Sequence, residues 1–155
     1  MRYPSISICT ITFNRPEFIQ ILYQQILKQT YPLNLIEWVI IDDSDISMKP
    51  ILHNLSSHLI IHYKHLKSKR TIGEKRNMSH SLCNGEIIIY MDDDDIYPST
   101  RVEHAVERLS KVDKLIAGCS CIPILFLSEL ELWSIGPFGE NHATAATFAF
   151  KRELL

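Results

Sequence analysis

The sequence predicts an α/β fold in which helices flank a mostly parallel sheet. Strand-like and helix-like segments alternate along the chain, which is typical of this fold class. Three of the strand-like segments end directly in polar clusters, as strands do where an open α/β sheet binds a ligand. The chain has 155 residues, of which 46% are hydrophobic, so we expect residues 1–155 to form one globular domain.

The first half of the chain supplies three predicted strands. Residues 6–12 are apolar and β-branched and predict a buried strand, and a helix follows it with Asn14 as N-cap and Pro16 in its first turn. We expect that helix to continue until Tyr31 and Pro32 end it. The further predicted elements are a strand at 38–41, a weak helix at 47–57, a strand at 59–63 and a basic loop at 64–69.

The second half is predicted with less regular structure. A helix at 73–83 stops at Asn84 and Gly85, which commonly end helices. An apolar strand at 86–91 leads into an acidic run, and another helix begins near Thr100. Residues 115–127 are rich in strand formers, residues 128–141 are predicted to be irregular because of their glycines and proline, and residues 143–150 predict a last strand.

Composition and charge exclude several classes of protein. The chain has 16 basic and 18 acidic residues, and this near-neutral balance argues against nucleic acid as a partner. The longest apolar run, residues 122–127, is too short to cross a bilayer. No zinc-type second pair accompanies the two cysteines at 119 and 121, so we expect buried, reduced thiols in a cytoplasmic protein, with peripheral membrane contact left open.

The polar clusters at the strand ends are the candidate functional residues. They are residues 12–15, residues 42–45 and residues 92–95, and ligands bind at the carboxyl edge of open α/β sheets. The four carboxylates of residues 92–95 repel one another, and a hard divalent cation would offset that repulsion. Asp92 and Asp94 face one side if this segment is extended. The alternative is a solvated turn that precedes a helix, which accounts for one or two of the four carboxylates.

The other charged residues leave two interpretations open. Asp43 would either accept hydrogen bonds from a nucleobase or form an ordinary turn. Arg76 would either contact a diphosphate or lie on a solvated helix face, and we place Lys75 on such a face. Lys67, Lys69 and Arg70 would either help to hold an anionic ligand or form a flexible basic loop, and we favour the loop.

Four segments follow one another along the chain: SISICTITFNRP (5–16), EWVIIDDS (37–44), GEKRN (73–77) and GEIIIYMDDDDI (85–96). In this order they resemble the family 2 glycosyltransferases, which have the GT-A nucleotide-sugar-binding fold. The resemblance extends from near Met1 to about Leu109 and implies a GT-A-like, Rossmann-like sheet. It implies a donor-binding half at residues 1–109 and a partial acceptor-side half at residues 110–155.

The resemblance also implies roles for single residues. Asp43 would accept a hydrogen bond from the nucleobase, and Phe13 would lie near that nucleobase. Arg76 would lie near the ribose or the diphosphate. The residues implied to bind the nucleotide sugar are Thr12, Phe13, Asn14, Arg15, Asp43, Arg76, Asp92 and Asp93. The implied metal ligands, for Mn²⁺ or Mg²⁺, are Asp94 and Asp92.

The activity implied is inverting, metal-dependent transfer of a sugar from a nucleotide-diphosphate sugar to a hydroxyl of a glycan, lipid or protein. A UDP-sugar is the first expectation. The family's catalytic carboxylate normally follows the strand that residues 147–150 resemble, and the sequence stops at Leu155. Glu140 and His142 are the only candidates for the base, and both are also explained as ordinary loop residues.

Two other functions stay open on the sequence alone. A catalytically inactive nucleotide-sugar-binding module would keep the donor half of the site without a base. A phosphotransferase on a doubly wound sheet would need a nucleophile or a P-loop, and the G-x-x-x-x-G-K-[ST] pattern of a P-loop does not occur in the sequence.

Overall fold

A computed structural model of the chain describes residues 3–55, 58–111, 113–139 and 141–155. These residues form the predicted α/β fold, with one mostly parallel six-stranded sheet and a separate two-stranded hairpin. The strands are β1 (Ile6–Thr12), β2 (Ile36–Asp42), β3 (Ile60–His65), β4 (Ile87–Tyr90), β5 (Ile116–Ala117), β6 (Ile122–Phe126), β7 (Glu131–Ile135) and β8 (Ala149–Lys151). The α-helices are α1 (Pro16–Leu27), α2 (Lys49–Leu55), α3 (Ile72–His80) and α4 (Arg101–Lys111).

The order of strands in the main sheet is β3-β2-β1-β4-β8-β5. The four strands from β3 to β4 are parallel, and β8 runs antiparallel to both of its neighbours. The parallel strands β1, β2 and β4 therefore deliver their carboxyl ends to one edge, which we call the carboxyl edge. The division into donor and acceptor halves at residue 109 stays a prediction.

The centre of the sheet is buried on both faces, and its strands are rich in isoleucine and other apolar or β-branched residues. The fully buried Trp38 packs on one face with Leu22 and Ile26 of α1, and its indole nitrogen donates a 2.8 Å hydrogen bond to the Thr10 hydroxyl. On the other face Val39 belongs to a smaller apolar cluster.

The first helix differs from its prediction at both ends. Arg15, not Asn14, is its N-cap residue, because Asn14 has a left-handed backbone with φ of 53°. Asparagine is one of the few residues that adopt this conformation readily. The helix also ends at Leu27, four residues before the predicted stop at Tyr31.

The predicted helix at 73–83 is α3, and its N-terminus is strongly capped. The Thr71 side chain accepts a hydrogen bond from the Glu74 backbone, and the Glu74 carboxylate accepts from the Thr71 backbone. The chain then turns at Gly85 against β1. A Cβ atom at Gly85 would lie 2.4 Å from the Ser7 backbone nitrogen, so only glycine fits this approach.

The segment between β5 and β8, residues 118–148, leaves the sheet as an excursion. The prediction that residues 128–141 are irregular is wrong for 131–135, which form β7 and pair antiparallel with β6. The two ends of the excursion are tied together, because Thr144 donates its backbone N–H to the Cys119 carbonyl and Cys119 donates its own to the Thr147 hydroxyl. Since β5 runs parallel to β4 and β8 runs antiparallel, the excursion leaves and re-enters the sheet at the carboxyl edge.

All four cysteines are free thiols. Cys9 and Cys83 are buried as predicted, with their sulfur atoms 3.2 Å apart, whereas Cys119 is exposed and Cys121 is partly exposed, contrary to the prediction. None of the helices formed by the described residues combines the length and the apolarity needed to cross a membrane.

Candidate functional site

The three polar clusters meet at the carboxyl edge, as their positions after the strands predicted. Thr12 is paired with Asp42 in the parallel register of β1 and β2. On the other side of β1, the Thr12 hydroxyl donates a 2.6 Å hydrogen bond to Oδ2 of Asp93. The end of β1 therefore lies between the two acidic clusters.

The acidic run 92–95 is a turn and not the extended segment that the alternation argument assumed. Asp93 points inward and is only 2% exposed, whereas the side chains of Asp92 and Asp94 are 27% and 50% exposed. Tyr97 holds this turn, because its hydroxyl accepts the Asp92 backbone N–H at 2.7 Å and donates to Asp95 at 3.2 Å. The sequence analysis missed Tyr97, which precedes a proline and carries no motif signal.

Two arginines, Arg15 and Arg76, form ion pairs with the acidic run. Arg15 bonds the Asp94 carboxylate, and the same Nη1 atom lies 3.3 Å from Oδ1 of Asp93. Arg76 lies 3.7 Å from Oδ1 of Asp92. The Arg76 guanidinium also sits 4.7 Å above the ring of Tyr90, a cation–π contact that fixes it beside Asp92.

The surroundings of the acidic run raise the pKa values of the Asp92 and Asp93 carboxyl groups. Burial raises the pKa of the Asp92 carboxyl, Arg76 opposes this increase, and the neighbouring carboxylates add to it. Burial also raises the pKa of Asp93, against the hydrogen bond from Thr12 and the charge of Arg15. Burial and the neighbouring carboxylates therefore disfavour the negative charge of this turn, and Arg15 and Arg76 offset only part of that effect.

The buried pair of Asp43 and Lys75 corrects one prediction. Lys75 does not lie on a solvated helix face: its ammonium group is buried, 2.7 Å from Oδ1 of Asp43 and 3.1 Å from the Thr12 carbonyl. The other Asp43 oxygen accepts the Arg70 backbone N–H at 2.8 Å. Burial tends to raise the pKa of Asp43, but the Lys75 and Arg70 contacts outweigh it and the pKa is lowered. The sequence gives no signal for this pair, because its partners are 32 residues apart.

Asn14 braces the loop after β1 against the loop after β2. Its side-chain amide donates to Asp45 at 2.7 Å and accepts the Asp45 backbone N–H at 3.0 Å. Its backbone N–H donates to the Ser44 hydroxyl. These three bonds hold the left-handed conformation that places Arg15 next to the acidic run.

The remaining predicted residues are more loosely placed. The Lys69 ammonium group lies 4.2 Å above the ring of Phe13. His142 is exposed and contacts Phe138 and the Gly139 carbonyl, both in the excursion. Glu140 lies outside the described residues.

A divalent cation fits the chemistry of the acidic run. Within the described ranges, no three His, Cys, Asp or Glu side chains are grouped as a complete protein site. Mg²⁺ and Mn²⁺ accept hard oxygen ligands, and a Mg²⁺ ion commonly takes one or two carboxylates together with substrate phosphates. The partly exposed carboxylates of Asp92 and Asp94 supply such ligands, and both already have a cationic side chain as neighbour.

A groove of about 700 Å³ lies at the opposite edge of the sheet. It is bounded by Pro4 and Glu86, which precede β1 and β4, and by Lys111 and Arg152. None of the predicted site residues that the structure describes lines this groove. The candidate site is therefore assigned from the convergence of charged side chains and not from the size of a cavity.

Comparison with known proteins identifies the same class of protein as the motifs did. The family model described as glycosyl transferase family 2 matches residues 7–136. This range includes β1, β2, α3 and the acidic run. No curated protein was found that matches the chain in sequence.

Solved structures share the fold at low sequence identity. A mannosyltransferase from Pyrobaculum calidifontis, PcManGT, in complex with GDP-Man and Mn²⁺, matches with a TM-score of 0.80 at 18% identity, over 99% of this chain and 46% of its own. Residues 1–349 of S. aureus TarS match with a TM-score of 0.74 at 17% identity, over 97% and 48%. A complex of the same TarS fragment with UDP-GlcNAc matches with a TM-score of 0.69 at 21% identity, over 76% and 34%. The chain thus spans less than half the length of these proteins.

Proposed function

Because the chain belongs to glycosyl transferase family 2, a family of sugar-transferring enzymes, we propose that it binds a nucleotide-diphosphate sugar at the carboxyl edge. The observation that carries this proposal is the meeting of the acidic run 92–95 with Arg15 and Arg76. Guanidinium groups form bidentate, charge-assisted contacts with phosphates, and the carboxylates attract the accompanying cation. A diphosphate would be attracted by the two arginines, and its divalent cation would be attracted by the carboxylates.

We assign the nucleoside to the side of the site formed by Phe13 and Asp43. Both oxygens of Asp43 are already bonded and its side chain is 0% exposed, so a base reaches this carboxylate only when the segment around Arg70 moves aside. A carboxylate has about four lone-pair directions, so it can then accept a further N–H. The Lys75 and Arg70 contacts keep this acceptor ionised. UDP is the first nucleotide to test, since TarS is found with UDP and UDP-GlcNAc, and GDP is the second, since PcManGT is found with GDP-Man.

We assign the divalent cation, Mn²⁺ or Mg²⁺, to Asp94, with Asp92 as the second carboxylate. When bound, the cation stabilises the negative charge of the leaving diphosphate. Arg76 lies beside Asp92 and would contact the ribose or the diphosphate. Asp93 supports the turn from inside through its bond to Thr12.

The proposed reaction is a displacement at the anomeric carbon. The acceptor hydroxyl oxygen forms the new bond to that carbon, the bond to the β-phosphate oxygen breaks, and its electron pair leaves with the nucleoside diphosphate. Attack from the face opposite the leaving group inverts the anomeric centre. The hydroxyl proton goes to a general base, for which Glu140 and His142 remain the candidates. A glycan, lipid or protein acceptor and a cytoplasmic location stay predictions.

The alternative is a donor-binding module without catalytic activity. His142, the described candidate for the base, is exposed and its contacts are within the excursion 118–148. A test for hydrolysis of the donor separates the two functions. An enzyme releases sugar and nucleoside diphosphate from the donor, whereas a module binds the donor and leaves it intact.

Calorimetric titration tests the donor site directly. UDP, GDP and dTDP are each titrated into the chain with Mn²⁺ and with EDTA. We expect one nucleotide to bind with Mn²⁺ and to lose at least tenfold in affinity with EDTA. Asp94→Asn should lose the metal-dependent part, whereas Asp113→Asn, an exposed residue at the opposite groove, should bind as wild type does. Absence of metal-dependent binding by all three nucleotides would overturn the donor-site proposal.

A further inference from the structure

The position of Arg15 places a permanent cation on the same carboxylates that the proposed metal requires. Its Nη1 atom bonds Oδ2 of Asp94 and lies 3.3 Å from Oδ1 of Asp93. A guanidinium keeps its charge at every physiological pH. A divalent cation that approaches Asp94 alone therefore meets both electrostatic repulsion from Arg15 and an occupied carboxylate oxygen.

The side chain of Arg15 is partly exposed, whereas the groups around it are held by hydrogen bonds. The Arg15 side chain is 40% exposed. Its backbone is fixed from one side by the three bonds of Asn14 to residues 44 and 45. Asp93 has a second partner besides Arg15, because it accepts the hydrogen bond from the Thr12 hydroxyl. A change of side-chain rotamer is therefore enough to release Asp94.

Arg76 is less suited than Arg15 to leave its carboxylate partner. Its guanidinium rests on the ring of Tyr90, and its side chain is 20% exposed, half as much as that of Arg15. The Tyr90 hydroxyl is in turn fixed by a 2.7 Å hydrogen bond with His80, and both rings pack against Phe150. Arg76 is thus held beside Asp92.

We propose that Arg15 is an internal counter-ion that makes binding of the divalent cation depend on the nucleoside diphosphate. Without nucleotide, Arg15 occupies Asp94 and keeps the affinity for the cation low. A diphosphate offers Arg15 an alternative anionic partner, so Arg15 leaves Asp94 for a phosphate oxygen and the cation takes its place. This inference rests on the proposed function, since it takes the diphosphate and the metal from it.

The two ligands must then enhance one another's binding equally, because coupling between binding sites is reciprocal. Mn²⁺ should increase the affinity for the diphosphate by the same factor by which the diphosphate increases the affinity for Mn²⁺. Removal of the Arg15 charge should lower this factor in a specific way. It should strengthen the binding of Mn²⁺ alone, whereas damage to the fold would weaken all binding.

The test measures free Mn²⁺ by its paramagnetic resonance signal, with the full chain, with and without UDP or GDP. The variants are Arg15→Gln, Arg15→Lys and, as a charge-matched control on the exposed face of α4, Arg108→Gln. We expect Arg15→Gln to bind Mn²⁺ alone at least fivefold more tightly than wild type, and nucleotide to add little further affinity. Arg15→Lys and Arg108→Gln should keep weak binding of Mn²⁺ alone and strong coupling.

Each outcome decides one point. Equal affinity of wild type and Arg15→Gln for Mn²⁺ alone overturns the counter-ion role of Arg15, provided that thermal unfolding shows the variant to be folded. If Arg108→Gln also binds Mn²⁺ alone more tightly, the change in net charge explains the effect. This result would also overturn the counter-ion role of Arg15. If Arg15→Gln binds Mn²⁺ more tightly but no nucleotide binds to any form, the donor-site proposal fails and competition between Arg15 and the cation stands.

Discussion

The ammonium group of Lys75 lies 2.7 Å from a carboxylate oxygen of Asp43, and both side chains are almost fully enclosed at the end of β1. Two charges removed from water stabilise the fold only as a pair, because the loss of one partner leaves the other unneutralised. This pair joins α3 to the loop after β2. It therefore links the stability of the fold to the shape of the candidate site.

Removal of the Lys75 charge should destabilise the chain strongly. We expect Lys75→Met to lower the free energy of unfolding by about 3–5 kcal/mol, the usual cost of breaking a buried ion pair. Urea denaturation measures this change. Lys64→Met, at an exposed position in β3, is the matched control and should change stability by less than about 0.5 kcal/mol. A similar small change for Lys75→Met would contradict the buried-pair assignment.

Acid should weaken the fold through Glu37 in β2. Its carboxylate accepts hydrogen bonds from the Ser7 hydroxyl and the Asn84 backbone, both at 2.6 Å. Burial tends to raise the pKa of Glu37, but these bonds outweigh it and the pKa is lowered from the ordinary value of 4.5. A carboxyl with a lowered pKa in the folded state stabilises the fold above its unfolded pKa, and the contribution is lost as the pH falls through the folded pKa.

We therefore expect the free energy of unfolding to decrease as the pH falls below about 4.5, and to decrease less steeply in Glu37→Gln. At pH 7 this variant should be less stable by about 1–3 kcal/mol, since its amide cannot replace the charged acceptor. Denaturation at a series of pH values provides both measurements. Glu153→Gln, at an exposed position, should leave the pH dependence unchanged. Parallel pH curves for wild type and Glu37→Gln would show that Glu37 does not carry the effect.

Two glycines should respond in opposite directions to the same substitution. Gly85→Ala places a methyl group 2.4 Å from the Ser7 backbone nitrogen and should cost about 1–3 kcal/mol or more, because backbone atoms cannot move aside easily. Gly73→Ala, in the first turn of α3, meets no atom within 4 Å and should stabilise the helix by about 0.5–1 kcal/mol. Thermal unfolding of both variants tests this, and equal shifts would contradict the close approach at Gly85.

The Thr12 hydroxyl should matter more than the Thr12 methyl group. Thr12→Val removes the 2.6 Å hydrogen bond to Asp93 and leaves that enclosed carboxylate with one partner fewer, at a cost of about 1.5–3 kcal/mol. Thr12→Ser keeps the hydroxyl and should restore most of this stability. Chemical denaturation compares the two variants with wild type. A Thr12→Ser variant as unstable as Thr12→Val would assign the effect to packing.

The sequence predicted the central sheet well because its signals are local. Short segments rich in isoleucine and other apolar or β-branched residues identify β1, β2 and β4 as buried strands, and polar residues follow each one. Since parallel strands align their carboxyl ends, the meeting of Thr12 with the acidic run follows from strand direction alone.

The features that the sequence did not predict depend on contacts between side chains or strands that local patterns do not show. Lysine is rarely buried, and only the presence of Asp43, far away in sequence, makes the enclosed position of Lys75 favourable. The strand β7 shows no pattern of alternating burial, because every one of its residues is exposed, and its structure comes from pairing with β6. The turn at 92–95 depends on Tyr97, so alternation along an extended strand did not describe it.

The hydrogen bonds that join the two ends of the excursion 118–148 have a consequence for how the sequence of this fold can vary. Its two ends are joined by hydrogen bonds beside the proposed donor site, so the closure of the loop does not depend on what lies between them. The entropic cost of a longer loop rises only by about 0.6 kcal/mol for each doubling of its length. Residues between the two ties can therefore be replaced or lengthened at small cost to the sheet, so this segment can vary in sequence and length while the carboxyl edge stays the same.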